Sequence, residues 1–133
     1  MELFDIRSDN RENRVYCILK GYFLGSEIEL VIHKLNKEIS TLIPGFDAII
    51  DIEDITLSSK ESATMLGEYI EKMKIIGARY ILKVNRQNEI EDEYDKFCSN
   101  NFNFFCRYFT VSSIKEAETL IERLNSCHHI YLS

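Results

Sequence analysis

Apolar positions in the first part of the chain fall into two short runs, residues 3–7 and 14–22, separated by the polar stretch Ser8-Asp9-Asn10-Arg11-Glu12-Asn13. Two apolar runs around a polar turn predict a β-hairpin. The period then changes. Ser26 and Glu29 have the spacing of a capping box, and Ile28, Val31, Ile32, Leu35, Ile39 and Leu42 recur every three or four residues, which predicts a helix running to about residue 41 and stopped by Pro44-Gly45. Phe46-Asp47-Ala48-Ile49-Ile50-Asp51-Ile52 is short, apolar and rich in β-branched residues, as a strand buried on both faces should be, and is the candidate central strand. Ser58 with Glu61 gives a second capping-box pair. Ser62, Met65, Leu66, Tyr69, Ile70, Met73 and Ile76 then repeat at helical spacing until Gly77, a natural C-terminal stop.

Residues 80–84 read as another buried strand. Ile90, Tyr94, Phe97 and Cys98 permit a weakly patterned helix over residues 88–100, and residues 104–111 read as a last core strand. Ser113 and Glu116 make a third capping-box pair ahead of Ile114, Ala117, Leu120, Ile121 and Leu124, and residues 126–133 carry no clear pattern. The predicted fold is α/β: a mixed, mostly parallel sheet with an N-terminal antiparallel hairpin and about four flanking helices. No linker, repeat or low-complexity segment divides the chain. One domain over residues 1–133 is expected, with its core at about residues 3–125.

Composition narrows the function. With 133 residues, 45% of them hydrophobic, the chain is long enough for a real core. No apolar run approaches the roughly 20 residues of a membrane span, and Met1-Glu2-Leu3-Phe4-Asp5 has no leader pattern, so a cytoplasmic protein is expected, with no membrane insertion. Sixteen basic against 22 acidic residues give a net charge of −6, which repels phosphate backbones, so nucleic acid is not an expected partner. Cys17, Cys98, Cys106 and Cys127 are scattered, without a ligand pair, and read as buried or partly buried thiols rather than a zinc site or disulfide framework.

Candidate chemistry concentrates after the central strand, because ligands of open α/β sheets bind beyond the carboxyl ends of the strands. Asp51, Glu53 and Asp54 offer oxygen ligands for a magnesium ion, but no Gly-rich phosphate loop accompanies them, and strand-end solvation and helix capping explain them better. Ser58 and Ser59 stand at a helix N-terminus, where capping is the first role and the dipole would stabilise an added phosphate. His33 can be placed on the solvent side of its helix, and His128-His129 are isolated, so no Ser/His/Asp or Cys/His arrangement can be assembled. The aromatic cluster Phe102, Phe104, Phe105, Tyr108 and Phe109 fits a core strand, with any exposed remainder available to a partner or lipid. No catalytic residue, metal or cofactor is expected.

The run Ala48-Ile49-Ile50-Asp51-Ile52-Glu53-Asp54-Ile55-Thr56-Leu57, the helix ending Glu71-Lys72-Met73-Lys74-Ile75-Ile76-Gly77-Ala78-Arg79, the strand Tyr80-Ile81-Leu82-Lys83-Val84 and the closing Val111-Ser112-Ser113-Ile114-Lys115-Glu116-Ala117-Glu118 resemble the sulfate-transporter and anti-sigma-factor-antagonist (STAS) family over roughly residues 21–124. Pro44-Gly45-Phe46-Asp47 before the central strand is similar to a divergent branch of small bacterial STAS-like proteins that often lacks the phosphorylation motif. The resemblance implies a non-enzymatic regulatory module that docks a partner protein, such as a regulatory kinase or an anti-sigma-like factor. The docking surface it implies is the loop and helix starting near Ser58: Asp54, Thr56, Ser58, Ser59 and Lys60, with Ser58 or Ser59 as the phosphorylation candidate. The family's signature there is Asp-Ser-Ser/Thr-Gly. An ungapped comparison puts Ser59 at its aspartate and Lys60 at its phosphoacceptor, with Glu61-Ser62 following in place of Gly. The alternative is a small-molecule or lipid carrier, since Sec14-like domains share the general fold. Homodimerisation through a sheet edge or helix face is a further expectation.

Overall fold

In a computed structural model, residues 3–86 and 106–132 are described, with 127–132 as backbone only. Two strands, β1 (Leu3–Asp9) and β2 (Arg14–Phe23), form the expected hairpin, and α1 (Gly25–Ile39) follows. Next come β3 (Phe46–Asp51), a short β4 (Ile55–Leu57), α2 (Lys60–Ile76), β5 (Ala78–Val84), β6 (Arg107–Val111) and α3 (Ile114–Leu132). The helix predicted over residues 88–100, the start of the last strand and Phe102, Phe104 and Phe105 lie outside the described residues. Among those described there are three helices, and the residues left without pattern after 125 continue α3 to Leu132. No helix among the described residues is long and apolar enough to cross a membrane.

The sheet runs β1-β2-β3-β5-β6, antiparallel between β1 and β2 and parallel elsewhere. All six residues of β3 are buried, as its unbroken apolar run predicts for the central strand. The pleat sends Phe46, Ala48 and Ile50 into a core with Ile28, Leu35 and Met73 of α1 and α2, and Ile49 into a second core with Leu82, Val111, Ala117 and Ile121 beneath α3. His33 is exposed on α1.

Strand β4 was not foreseen. The ten residues of β2 serve two partners in turn: residues 14–18 pair with β3, and Gly21, Tyr22 and Phe23 pair with Ile55, Thr56 and Leu57 of β4. Asp54 C=O and the Ser58 N–H close the ends of this ladder, bonding Gly21 N–H at 3.1 Å and Phe23 C=O at 3.0 Å. Three-residue strands escape pattern reading because alternation needs about four residues to register.

The helix starts also differ from expectation. The N-cap of α1 is Leu24, whose N–H donates to the Glu27 carboxylate at 3.0 Å, so the cap lies two residues before the Ser26 assigned from spacing. Ser59, not Ser58, caps α2, its Oγ accepting from Ser62 N–H at 3.2 Å. At α3 half of the expected box forms: Ser113 Oγ accepts from Glu116 N–H at 3.0 Å, while the Glu116 carboxylate takes the N–H and hydroxyl of Ser112. Gly77 ends α2 at φ +131°, where a Cβ would stand 3.2 Å from Pro44 Cα, so both its backbone and its closeness to Pro44 require glycine.

Candidate functional site

The carboxyl edge of the parallel strands is built by the split between β3 and β4. From Asp54 to Lys60 the chain alternates: Asp54, Thr56, Ser58 and Lys60 are exposed, while Ile55, Leu57 and Ser59 are partly buried. Strand geometry accounts for the alternation within β4, and four of the five residues expected to dock a partner are exposed along this stretch. The fifth, Ser59, turns inward, where its hydroxyl caps α2 and meets Ser62 Oγ at 3.0 Å. Sequence reading missed two apolar members of this surface. Tyr22 is 51% exposed and is the ladder partner of Thr56, and Leu24 follows two residues on at 49% exposure.

The inward residues of the same stretch face a cleft. Because β4 follows β2 while β5 follows β3, a wedge opens between β4 and the end of β5, with α2 as its floor. Its volume is about 310 Å³, and Ile55, Leu57, Leu66, Ile70 and Val84 give it an apolar lining with Glu53, Lys83 and Asn85 among its polar groups.

The three carboxylates weighed as magnesium ligands are brought together, but around an arginine. Asp51 is 1% exposed at the end of β3, and Arg86, two residues past β5, bonds both its oxygens. Arg86 also donates its backbone N–H to Glu53 at 2.5 Å, and its Nη1 lies 3.6 Å from carboxylate oxygens of Glu53 and Asp54. The hydrogen bond to Asp51, then the charges of Asp51, Asp54 and Glu53, raise the guanidinium pKa further. The arginine supplies the positive charge that an ion would bring. No group of three or more ligating side chains suited to a metal stands among the described residues.

The amino edge carries a matching arrangement. Asp47, 1% exposed at the start of β3, is held by Arg79 through Nε at 3.2 Å and Nη2 at 3.0 Å. A bulge, with Phe46 opposite Ala78 but Asp47 opposite Tyr80, leaves Arg79 as the extra residue and re-aims it toward Asp47. Burial pushes the Asp47 carboxyl up, and Arg79 and then Arg14 pull it only part of the way back. Arg14, 6% exposed, donates to the Tyr16 hydroxyl at 3.2 Å, which in turn donates to Glu118 of α3 at 2.6 Å. Arg14 Nε has no acceptor among the described residues. The two aspartates of β3 therefore lie one at each end of the central strand, each neutralised by an arginine from one end of β5.

Cys17 and Cys106 are buried free thiols, pushed by burial up to about 12 and about 11 respectively, which removes them as nucleophiles near neutral pH. The fold and this edge define an α/β domain with a mixed sheet whose carboxyl edge presents an exposed stretch beside an apolar wedge. In sequence the chain matches no family model and no curated protein.

Proposed function

We propose that the chain is a non-enzymatic, cytoplasmic regulatory module of the STAS kind, with the loop and helix start at residues 54–60 as its docking surface for a partner protein. The observation that carries this reading is the exposed set Asp54, Thr56, Ser58 and Lys60 with Tyr22 and Leu24 beside it. Exposed aromatic and aliphatic side chains ringed by polar groups are the composition of a protein-binding patch. The hairpin, helix, buried strand, helix order of the first 76 residues is in keeping with the STAS resemblance. Ser58, exposed and not used as the cap, is the hydroxyl on this surface open to a modifying kinase, whereas Ser59 is engaged by α2.

The test is co-purification from the native cytosol with the wild-type chain, a Tyr22→Ala variant and a Thr56→Glu/Lys60→Glu variant. A protein held by the wild type and lost from both variants is the expected result. Partners held equally by all three, or none at all, would end this reading. A second reading is favoured by the wedge between β4 and β5, whose volume reaches the lower range of small-ligand sites. In that reading the chain carries a small, largely apolar molecule. Native mass spectrometry would then find an adduct that disappears on denaturation and is lost when Gly67→Leu fills the floor of the wedge.

A further inference from the structure

Among the described residues β1 is an outer strand of the sheet, and its ladder is to β2. Outer strands carry charges that hinder pairing with another chain. Here Asp5 and Arg7 flank Ile6 on the same face, their side chains 41% and 51% exposed and 3.3 Å apart.

Two copies that join β1 to β1 about a two-fold axis perpendicular to the sheet must pair odd residues with odd and even with even, because the pleat separates the two sets. If the axis passes through Asp5, that carboxylate faces the partner's Asp5. If it passes through Arg7, the guanidinium faces the partner's Arg7, and Asp5 faces the partner's Asp9. With the axis at Ile6, Asp5 faces the partner's Arg7 and Arg7 faces the partner's Asp5. Like charges directly opposite destabilise a ladder and unlike charges stabilise it, so the charges reject both neighbouring registers and accept the one at Ile6. That register alone pairs all seven residues of the strand, since Ile6 is the midpoint of Leu3–Asp9.

The helix above fits the same axis. Glu38 of α1 accepts from Ser8 Oγ of β1 at 2.7 Å, while Asn36 turns the other way to accept from the Tyr69 hydroxyl of α2 at 2.7 Å. The helix row that overhangs β1 therefore contains Glu38, Lys34 and Leu30, spaced by four. Leu30 is 62% exposed and Phe4, on the strand below, 42%. Since α1 covers β1 and β2, strand spacing of about 4.8 Å sets α1 and its mate about 10 Å apart across the seam, a distance at which helices pack.

We propose that a second copy of this chain is the partner of the β1 edge: a two-fold dimer with antiparallel β1 strands centred on Ile6, alternating Asp5 and Arg7 charges across the seam, and antiparallel α1 helices covering Leu30 and Phe4. The proposal is independent of the docking surface at residues 54–60.

Sedimentation equilibrium on the full chain tests it. The expected mass is about 31 kDa, twice the 15.6 kDa of one chain. Asp5→Arg and Arg7→Glu each set like charges opposite one another at two places and should weaken the dimer at least about tenfold, whereas the double exchange D5R/R7E restores the pairing to about the wild-type dissociation constant. A wild-type chain that stays monomeric at about 100 μM, single variants that dimerise like the wild type, or a folded double variant that is not restored would each overturn it. Should a single variant fail to fold by circular dichroism, Leu30→Glu on the exposed helix row gives the same readout: loss of the dimer is expected, and an unchanged dimer refutes the geometry.

Discussion

Asp47 keeps its charge inside the protein because Arg79 grips both carboxylate oxygens, and replacing Arg79 with Met tests how much the central strand depends on that grip. Removing one member of a buried pair costs about 3–5 kcal/mol when the other is left charged and dry. The Arg79 side chain is 36% exposed, so water reaches its side of the pair and the expected loss falls to about 2–3 kcal/mol. Arg14 remains close enough to oppose part of the burial penalty. For a domain of this size the loss lowers Tm by about 10 °C. The pH dependence follows from the direction of the Asp47 shift. Burial holds its folded pKa above the unfolded value of about 3.9, so the native state binds the proton more tightly, and stability is lost as pH rises through the folded pKa. Without Arg79 that pKa climbs further. The deficit of the variant should therefore be largest above neutrality and shrink as pH falls through the raised folded pKa toward about 4. Adding Asp47→Asn should recover most of it, because a neutral amide needs no countercharge. Urea unfolding followed by circular dichroism at pH 5 and pH 7.5 is the assay. A deficit under about 0.5 kcal/mol, one equal at both pH values, or one that Asp47→Asn does not relieve would refute the reasoning.

Ser59→Ala removes the cap of α2 and should cost about 1 kcal/mol in urea unfolding, whereas Ser58→Ala should stay within about 0.5 kcal/mol. Arg86→Ala leaves Asp51, Glu53 and Asp54 without their shared cation, and because Asp51 is buried the variant should lose about 2–3 kcal/mol in urea unfolding. At pH 8 Cys17 and Cys106 are almost wholly protonated, so alkylation followed by peptide mapping should find both unlabelled in the native protein and labelled in urea. Rapid native labelling of Cys17 would contradict its burial.

Elements with a sustained period were legible in the sequence. The residues of α2 show their helical repeat over 17 positions, and the six-residue β3 shows its double burial by having no polar alternation. The caps were less legible, because Ser58 and Ser59 both satisfy a cap rule one residue apart and only the path of β4 decides which hydroxyl points back at Ser62. Grouping Asp51, Glu53 and Asp54 was within reach of sequence, but their occupation by Arg86 was not, since it needs β5 laid beside β3 in a known register. Asp47 and Arg79 carried a weak signal: a carboxylate at the start of one buried strand and an arginine at the start of the next. Tyr22 and Leu24 gave none, because an apolar residue at the end of a strand reads as core until the packing around it is known.

The double use of β2 bears on how the sheet assembles. Every described strand that β2 touches lies within residues 3–57, so β1, β2, β3 and β4 can pair before the later strands are made. Among the described strands, the later ones then join the same growing side in chain order, β5 onto β3 and β6 onto β5. Growth of the described sheet on a ribosome is thus one-directional, away from β1. Amides of β2 and β3 should exchange last with solvent, and those of β6 earlier, as the most recently added layer opens first.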